Sequence, residues 1–311
     1  GNGRTVNVEY VSANPTGPLH IGHCRGAVFG DVLSNLLQKT GHQVTKEYYI
    51  NDAGSQIKNL TNSVFIRYQE LIGKKFSEYP DDFYPGDYLV PVAQHFASTY
   101  NSKLLEMNDE ERFLLIKPFT INFMMNLIKE DLAAISIHQD IFISEQDLVS
   151  NGKIDEAIKA LKKSNLIYEG VLEPPKGKKP DDWEPRPQML FKSTKYGDEV
   201  DRPLQKSNKE WTYFANDIAY HFDKYQRGSN HLVDILGADH GGYVKRMTAA
   251  VAALSDNKAS FTAKLCQMVK LTRNGKQIKM SKRSGEFITL REVIDEVGSD
   301  SIRFMMLYRK N

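Results

Sequence analysis

The first 70 residues alternate between two hydrophobic patterns. The run TVNVEYV at 5–11 is rich in β-branched and aromatic side chains and gives way to a segment rich in Pro and Gly, which predicts a strand and then a turn. From Cys24 to a stop at Gly41, apolar residues recur at helical spacing, and TKEYYI at 45–50 predicts a second strand before a second helix. The apolar stripes of the two helices are Val28, Phe29, Val32, Leu33, Leu36 and Leu37, and Ile57, Leu60, Val64 and Leu71. This order of elements predicts the opening of a parallel α/β sheet.

The same rhythm returns in the last third of the chain. The run HLVDILG predicts a strand that leads through a turn into a helix ending near 254, and KLCQMVKL at 264–271 predicts another strand. Asn274-Gly275 indicates a hairpin turn, and two short helices are expected at 290–297 and 299–308.

The middle of the chain has a different pattern, with a helical stretch at 80–137 and short strand-like pieces at 165–210. We therefore expect an α/β fold: a Rossmann-like, parallel-sheet, nucleotide-binding catalytic domain whose halves are residues 1–79 and 211–311, with a mixed α+β insertion at 80–210.

Composition narrows the functional classes. The 311 residues are 41% hydrophobic, which is enough for a sizeable core, and the net charge of +2 means that any nucleic-acid surface must be local. Two cysteines cannot form a disulfide framework or a paired-cysteine metal site, and they suit a reducing cytoplasm. No apolar run approaches the roughly 20 residues of a membrane span, and no signal peptide is visible. Because the chain starts without Met and stops within a predicted helix, we expect an excised central piece of a longer protein.

The segment NPTGPLHIGH at 14–23 carries the first candidate chemistry. It lies between a predicted strand and a predicted helix, at the edge of a parallel sheet where such folds bind ligands and where a helix N-terminus attracts phosphate. His20 and His23 can donate to phosphate oxygens, and Gly22 permits close backbone approach. The pattern indicates a nucleotide phosphate clamp. On the pattern alone, a helix-capping histidine beside a satisfied polar one remains an alternative.

A basic strip near the end of the chain is the second candidate. No acid occurs from Leu265 to Gly285, and the strip contains the sequence KMSKR at 279–283, which we call the lysine loop. Its basic residues are Lys270, Arg273, Lys276, Lys279, Lys282 and Arg283. A Gly- and Ser-rich basic loop suits a mobile element that closes over a polyphosphate, while a solvated basic hairpin is the alternative.

Together these segments resemble the two signatures of class I aminoacyl-tRNA synthetases, and more narrowly the bacterial arginyl-tRNA synthetases. The blocks VEYVSANPTGPLHIGHCRGAVFGD, YYINDAGSQI, GADHGGY and KMSKRSGEFITLREVIDEVG resemble that family in the same order, over essentially the whole chain. Arg283 stands where the general signature has serine. The resemblance implies ATP with Mg²⁺ as substrate, L-arginine and tRNA-Arg as partners, and a cytoplasmic protein. It suggests a monomer with no tightly bound metal or organic cofactor, no DNA and no membrane.

The resemblance also assigns site residues. It implies catalytic roles for His20, His23, Lys279 and Lys282. It implies ATP contacts from Pro18, His20, Gly22, His23, Gly237, Asp239, His240, Met280, Ser281 and Lys282, and arginine contacts from Glu9, Ser12, Asn14, Tyr213, Asp217 and Asp239. A guanidinium is a flat, permanently charged fork of donors, so acids in this set fit arginine. We expect Asp217 and Tyr213 at the guanidinium, and Glu9 and Asn14 nearer the other end of arginine.

Three alternatives remain at this stage, one of which is a synthetase for another amino acid. A small-molecule nucleotidyltransferase could use the same histidine pattern but would lack the lysine loop. A paralogue without tRNA-charging activity could retain the fold, although His20, His23, Lys279 and Lys282 are all present.

Overall fold

The structure is a computed structural model that describes residues 1–172, 186–206, 208–267, 269, 271–273, 276–277 and 287–308. The strands are β1 (Thr5–Glu9), β2 (Gln43–Ile50), β3 (Ile141–Ser144), β4 (Ile167–Gly170), β5 (Gln188–Phe191), β6 (Arg202–Pro203), β7 (His231–Gly237), β8 (Ser260–Cys266), β9 (Thr272–Arg273) and β10 (Lys276–Gln277). The α-helices are α1 (Ile21–Lys39), α2 (Ser55–Leu71), α3 (Val90–Tyr100), α4 (Asp109–Ala134), α5 (Glu145–Ser150), α6 (Lys153–Lys163), α7 (Tyr213–Gln226), α8 (Tyr243–Ser255), α9 (Leu290–Val297) and α10 (Ser299–Tyr308).

A five-stranded sheet in the order β3-β2-β1-β7-β8 forms the centre of the fold. β1 pairs in parallel with both β2 and β7, and β7 pairs in parallel with β8. Glu9, the last residue of β1, lies opposite Glu47 of β2 and Asp234 of β7. Residues at one level of neighbouring parallel strands project to the same face of a sheet, so this register sets three carboxylates side by side. The parallel sheet with flanking helices confirms the α/β, Rossmann-like expectation.

The chain divides into two compact units. Unit 1 comprises residues 1–10, 32–47 and 145–266, and unit 2 comprises residues 11–31, 48–144 and 267–311. The core of unit 1 is built from α6, α7, α8 and the strands beneath them, and includes Ile158, Ile218, Leu232, Met247 and Val251. The core of unit 2 is built mainly from α2, α3 and α4, and includes Leu60, Val64, Leu89, Phe96 and Met124. Within the described residues, no helix is long and apolar enough to cross a bilayer.

The predicted elements are present with shifted ends. α1 begins at Ile21, three residues before the predicted start, and β2 begins at Gln43, two residues before it. β8 spans Ser260–Cys266 rather than 264–271 because its parallel pairing follows the length of β7, from His231 opposite Ser260 to Gly237 opposite Cys266. β9 and β10 pair in antiparallel register, as the predicted hairpin requires, while Asn274 and Gly275 themselves lie outside the described residues.

Candidate functional site

The HIGH segment, residues 20–23, opens α1 in unit 2. The rings of His20 and His23 stack with their centroids 3.8 Å apart. Gly22 is half-buried beside them, and a Cβ built on it would lie 2.8 Å from His20 ring atoms. The glycine therefore leaves the space that the His20 ring occupies. Pro18, two residues before His20, is also half-buried.

Backbone hydrogen bonds determine the tautomers of both histidines. The Gly22 N–H donates to His20 Nδ1 at 3.1 Å, and the His20 N–H donates to His23 Nδ1 at 3.3 Å. A ring nitrogen that accepts carries no proton, so each neutral imidazole is protonated at Nε2. Both rings therefore have an N–H donor at Nε2, which is the hydrogen-bonding character that a phosphate oxygen requires.

The residues that follow the lysine loop are hydrogen-bonded to the backbone at the HIGH segment. Thr289 forms an antiparallel bridge with His20, and the Leu290 N–H donates to the Leu19 carbonyl at 2.8 Å. The Phe287 ring lies 6.4 Å from the His20 ring. Asp131 of α4 also contacts the residue before the HIGH segment. Its Oδ2 accepts a hydrogen bond from the Leu19 N–H at 3.1 Å. Lys279, Met280, Ser281 and Lys282 lie outside the described residues.

Backbone conformation is unusual directly after β1, at the start of unit 2. Val11 and Ser12 have φ values of 73° and 41°, in the left-handed region that non-glycine residues, and β-branched ones above all, seldom adopt. Ser12 Oγ accepts the Tyr49 N–H at 3.0 Å, and Asn14 Nδ2 donates to Gln56 Oε1 at 2.9 Å. Such conformations cost about 1–3 kcal/mol and concentrate at functional sites. The position of Ser12 and Asn14 in this segment is consistent with a ligand-binding turn.

In unit 1, a buried lysine and a more exposed arginine lie against the three carboxylates that the sheet register sets side by side. Lys224 Nζ donates to Glu9 Oε2 at 2.5 Å and to Asp234 Oδ1 at 3.0 Å. Arg227 donates to both oxygens of Glu47, at 2.9 and 3.0 Å. Burial raises the pKa of Glu9, while Lys224 opposes that rise. Like charges this close would destabilise the sheet, so the cations are required for the register to form.

Asp217 and Tyr213 lie one helical turn apart at the start of α7. Tyr213 is 77% exposed, whereas Asp217 is partly buried. Burial raises the pKa of Asp217 to about 7, and the negative charges of Glu9, Glu145 and Asp234 add to this, although His221 opposes it. Within the described residues, the Asp217 carboxylate has no cation partner, which distinguishes it from Glu9, Glu47 and Asp234.

The remaining unit 1 candidates follow β7. Gly237 ends that strand, and Asp239 and His240 form the single helical turn after it, with both side chains exposed. His240 Nε2 lies 3.8 Å from Asp239 Oδ2. These side chains are accessible to a ligand at the carboxyl edge of the sheet.

One buried group has metal-ligating chemistry. Glu9, His221 and Asp234 each offer a ligand atom, and these atoms lie within 4.8 Å of one another. The Lys224 ammonium is already bonded to both carboxylates of this group. We therefore interpret the group as a carboxylate pair bridged by lysine rather than as an ion site.

His221 and Lys224, which contact the predicted acids, were not expected from the sequence pattern. They follow Asp217 by four and seven residues, so all three share one face of α7. This spacing was the available signal. It was missed because charged residues on an amphipathic helix usually face water.

The parallel sheet, with the HIGH segment at the start of its first helix, defines a class of proteins, the class I aminoacyl-tRNA synthetases. The family model described as "tRNA synthetases class I (R), catalytic domain" matches residues 1–311. The chain belongs to this family.

Relatives agree with this assignment. A protein from Rhizobium etli, named arginine--tRNA ligase, is 58% identical over the whole chain, which covers 54% of that protein. A crystal structure from Campylobacter jejuni, described as an arginyl-tRNA synthetase, superposes with a TM-score of 0.82 at 36% identity, over 99% of this chain and 63% of that one. The Thermus thermophilus arginyl-tRNA synthetase shares the fold, with a TM-score of 0.64 at 18% identity over 98% of this chain and 57% of that one. The chain thus spans about half the length of the curated relatives it matches.

Proposed function

We propose that this chain is the catalytic region of an arginine–tRNA ligase, which uses ATP to convert L-arginine to arginyl-adenylate and then transfers the arginyl group to the 3′ end of tRNA-Arg. The observation that carries the substrate assignment is the Asp217 carboxylate, which has no cation partner among the described residues and is surrounded by further acids. A permanently charged guanidinium supplies the missing cation and several donors at once. Family membership supports the reaction.

The proposed chemistry needs no protein nucleophile. The arginine carboxylate attacks the α-phosphorus of ATP, pyrophosphate leaves, and the terminal ribose hydroxyl of the tRNA later attacks the acyl carbonyl. Catalysis then comes from positioning and from stabilising negative charge on the phosphates. We assign that stabilisation to the Nε2–H donors of His20 and His23 and to Lys279 and Lys282, with Mg²⁺ arriving bound to ATP. Pro18, Gly22, Met280 and Ser281 complete the ATP contacts in this proposal, with Gly237, Asp239 and His240 near the adenosine.

The arginine contacts follow from the chemistry of each side chain. Asp217 and Tyr213 contact the guanidinium, because Asp217 is a partly buried acid with no cation partner among the described residues and Tyr213 is an exposed aromatic ring one turn away. Glu9, Ser12, Asn14 and Asp239 contact the α-amino and carboxyl end. The same proposal makes the protein a cytoplasmic monomer that binds tRNA but neither DNA nor membranes.

Arginine-dependent exchange of pyrophosphate into ATP, measured on the full-length protein with tRNA present, tests the reaction. We expect exchange with arginine and none with lysine or glutamine. Equal exchange with any of the three amino acids would contradict the assignment.

The tautomer inferred for His23 allows a more specific use of the same exchange assay. The amide nitrogen of glutamine reaches the position of a histidine Nε2, whereas that of asparagine matches Nδ1. We therefore expect His23→Gln to retain at least about tenfold more exchange activity than His23→Asn, the difference expected for one charge-assisted hydrogen bond. The reverse order would show that Nδ1, and not Nε2, donates to the phosphates.

A further inference from the structure

One face of α7 carries an alternation of charge. Asp217, His221 and Lys224 recur at intervals of four and three residues, so they lie along the same side of the helix. This side faces the end of β1 and the middle of β7, where Glu9 and Asp234 lie at the same level of the sheet. The five residues form what we call the α7 charge cluster.

His221 is a cation in this cluster. Its Nδ1 lies 2.8 Å from the Asp217 carbonyl oxygen and its Nε2 lies 2.9 Å from Asp234 Oδ2. A carbonyl oxygen only accepts hydrogen bonds, and so does an ionised carboxylate. Although burial favours the neutral acid, Lys224 and His221 hold the pKa of Asp234 well below its usual range, so that carboxylate is ionised. Both ring nitrogens must therefore donate, which only the imidazolium form of His221 can do.

Lys224 is the second cation. Its side chain is fully buried, and its ammonium contacts Glu9 and Asp234 at the distances given above. The Tyr220 ring lies 4.3 Å from the same nitrogen. A buried ammonium is costly unless it is paired, and here the carboxylates of Asp234, Glu9 and Glu47 outweigh burial and raise its pKa. Lys224 thus stays charged.

Within the α7 charge cluster, these charges leave one carboxylate over. The two cations balance Glu9 and Asp234, while Asp217 has no cation partner within the described residues. We infer that His221 and Lys224 are positioning residues that set the net charge of the α7 charge cluster, by neutralising Glu9 and Asp234 so that Asp217 is the one carboxylate of the cluster left for a monovalent guanidinium. This inference rests on the proposed function, and it adds a specificity determinant that does not itself touch the substrate.

The balance predicts a pH dependence of arginine binding. The groups that face Asp217 are Glu9 from β1, Glu145 from α5, Asp234 from β7, Tyr243 from α8, and His221 on α7 itself. Together with burial, the acids raise the pKa of Asp217 to about 7. Guanidinium binds the ionised form, so arginine affinity should rise as the pH increases through about 7 and level off above it, with a proton released on binding below that pH.

Replacing His221 tests the inference, because its positive charge lowers the pKa of Asp217. In His221→Gln, an amide keeps a donor for Asp234 but removes the charge. The midpoint of arginine affinity against pH should then rise by about one unit, the usual effect of one nearby charge. Affinity should fall about fivefold at pH 7 and hardly change at pH 9. Calorimetric titration with arginine from pH 5.5 to 9 on the full-length protein measures both.

Asp223→Asn is the matched control. It removes a buried carboxylate of α7 that pairs with Arg227, but Asp223 is not among the groups that act on Asp217. Its arginine affinity should change by one factor at every pH, with an unmoved midpoint. Lys224→Met, a neutral substitute of similar shape, removes the charge that pairs with Glu9 and Asp234. Because these two acids raise the pKa of Asp217, the variant should shift the midpoint in the same direction as His221→Gln. If Lys224→Met does not fold, the midpoint measured for His221→Gln alone tests the inference.

Two failures are distinguishable. If the unmodified protein binds no arginine at any pH, the proposed function is wrong and the inference falls with it. If the protein binds arginine but the midpoint of His221→Gln equals that of the unmodified protein, the function stands and the charge-setting role of His221 is overturned.

Discussion

The negative charge of Asp217 is unfavourable in the folded protein without a ligand, and the same charge is suited to a cationic ligand. Its ordinary pKa of 3.8 is raised to about 7, first by burial and then by neighbouring acids. At intermediate pH, the folded protein binds a proton here that the unfolded chain does not. The contribution of Asp217 to the free energy of unfolding is therefore fully present below about pH 4 and is lost as the pH rises through about 7.

A substitution at this residue should separate stability from binding. Asp217→Asn removes the cost of the ionised carboxylate, so we expect it to raise the free energy of unfolding at pH 8 by on the order of 2 kcal/mol and to raise it much less at pH 5. The same variant should lose arginine binding. Thermal unfolding at the two pH values is the measurement. A variant that is less stable than the unmodified protein at pH 8 would show that the surroundings of Asp217 do not oppose its charge.

At the scale of elements, two helix caps differ in the contacts that they make outside their own helices. Asn108 caps α4 and Thr289 caps α9, each in a reciprocal pairing with a glutamate three residues on. Thr289 also bridges to His20, so the start of α9 fixes the backbone beside the HIGH segment. Within the part of the chain that the structure describes, Asn108 makes no hydrogen bond to that segment, so it is the matched comparison for Thr289.

We expect Thr289→Ala and Asn108→Ala each to lower the free energy of unfolding by about 1 kcal/mol, the usual loss on removing such a cap. Only Thr289→Ala should also slow arginine-dependent exchange, and Thr289→Ser should restore it. Denaturant unfolding and the exchange assay, run on the same preparations, compare the two sites. Equal exchange rates in the two alanine variants would mean that the Thr289 cap has no role in positioning the backbone beside His20.

α7 shows how far the sequence could predict an element and its chemistry. The spacing of Tyr213 and Asp217 indicated one helix face, and the structure confirms a helix there. The burial of Lys224 was not predictable from the helix alone. It depends on the pairing that sets Glu9 opposite Asp234, a contact between strands more than 200 residues apart in the chain. A local pattern contains no information about such a register.

At the scale of the whole molecule, long elements with clear periodicity were predicted, whereas some of the short ones in the middle of the chain were not. β1, α1, β2 and β7 follow from apolar runs bounded by Gly and Pro. β3 has four residues and α5 has six. Neither was predicted, because such short segments show no clear hydrophobic periodicity. The candidate site was predicted mainly through family resemblance, because its acids come from separate segments that only the folded sheet assembles.

We propose that the folded chain selects arginine by the positive charge of its guanidinium. A ligand that differs from arginine only in charge tests this most directly. Citrulline replaces the guanidinium by a neutral urea group of nearly the same shape. Calorimetric titration at pH 8 should show arginine binding at least about 10- to 100-fold more tightly than citrulline, the range expected for losing charge-assisted hydrogen bonds to a carboxylate. Lysine, a point charge without the planar fork, should also bind weakly. Equal affinities for arginine and citrulline would contradict the account.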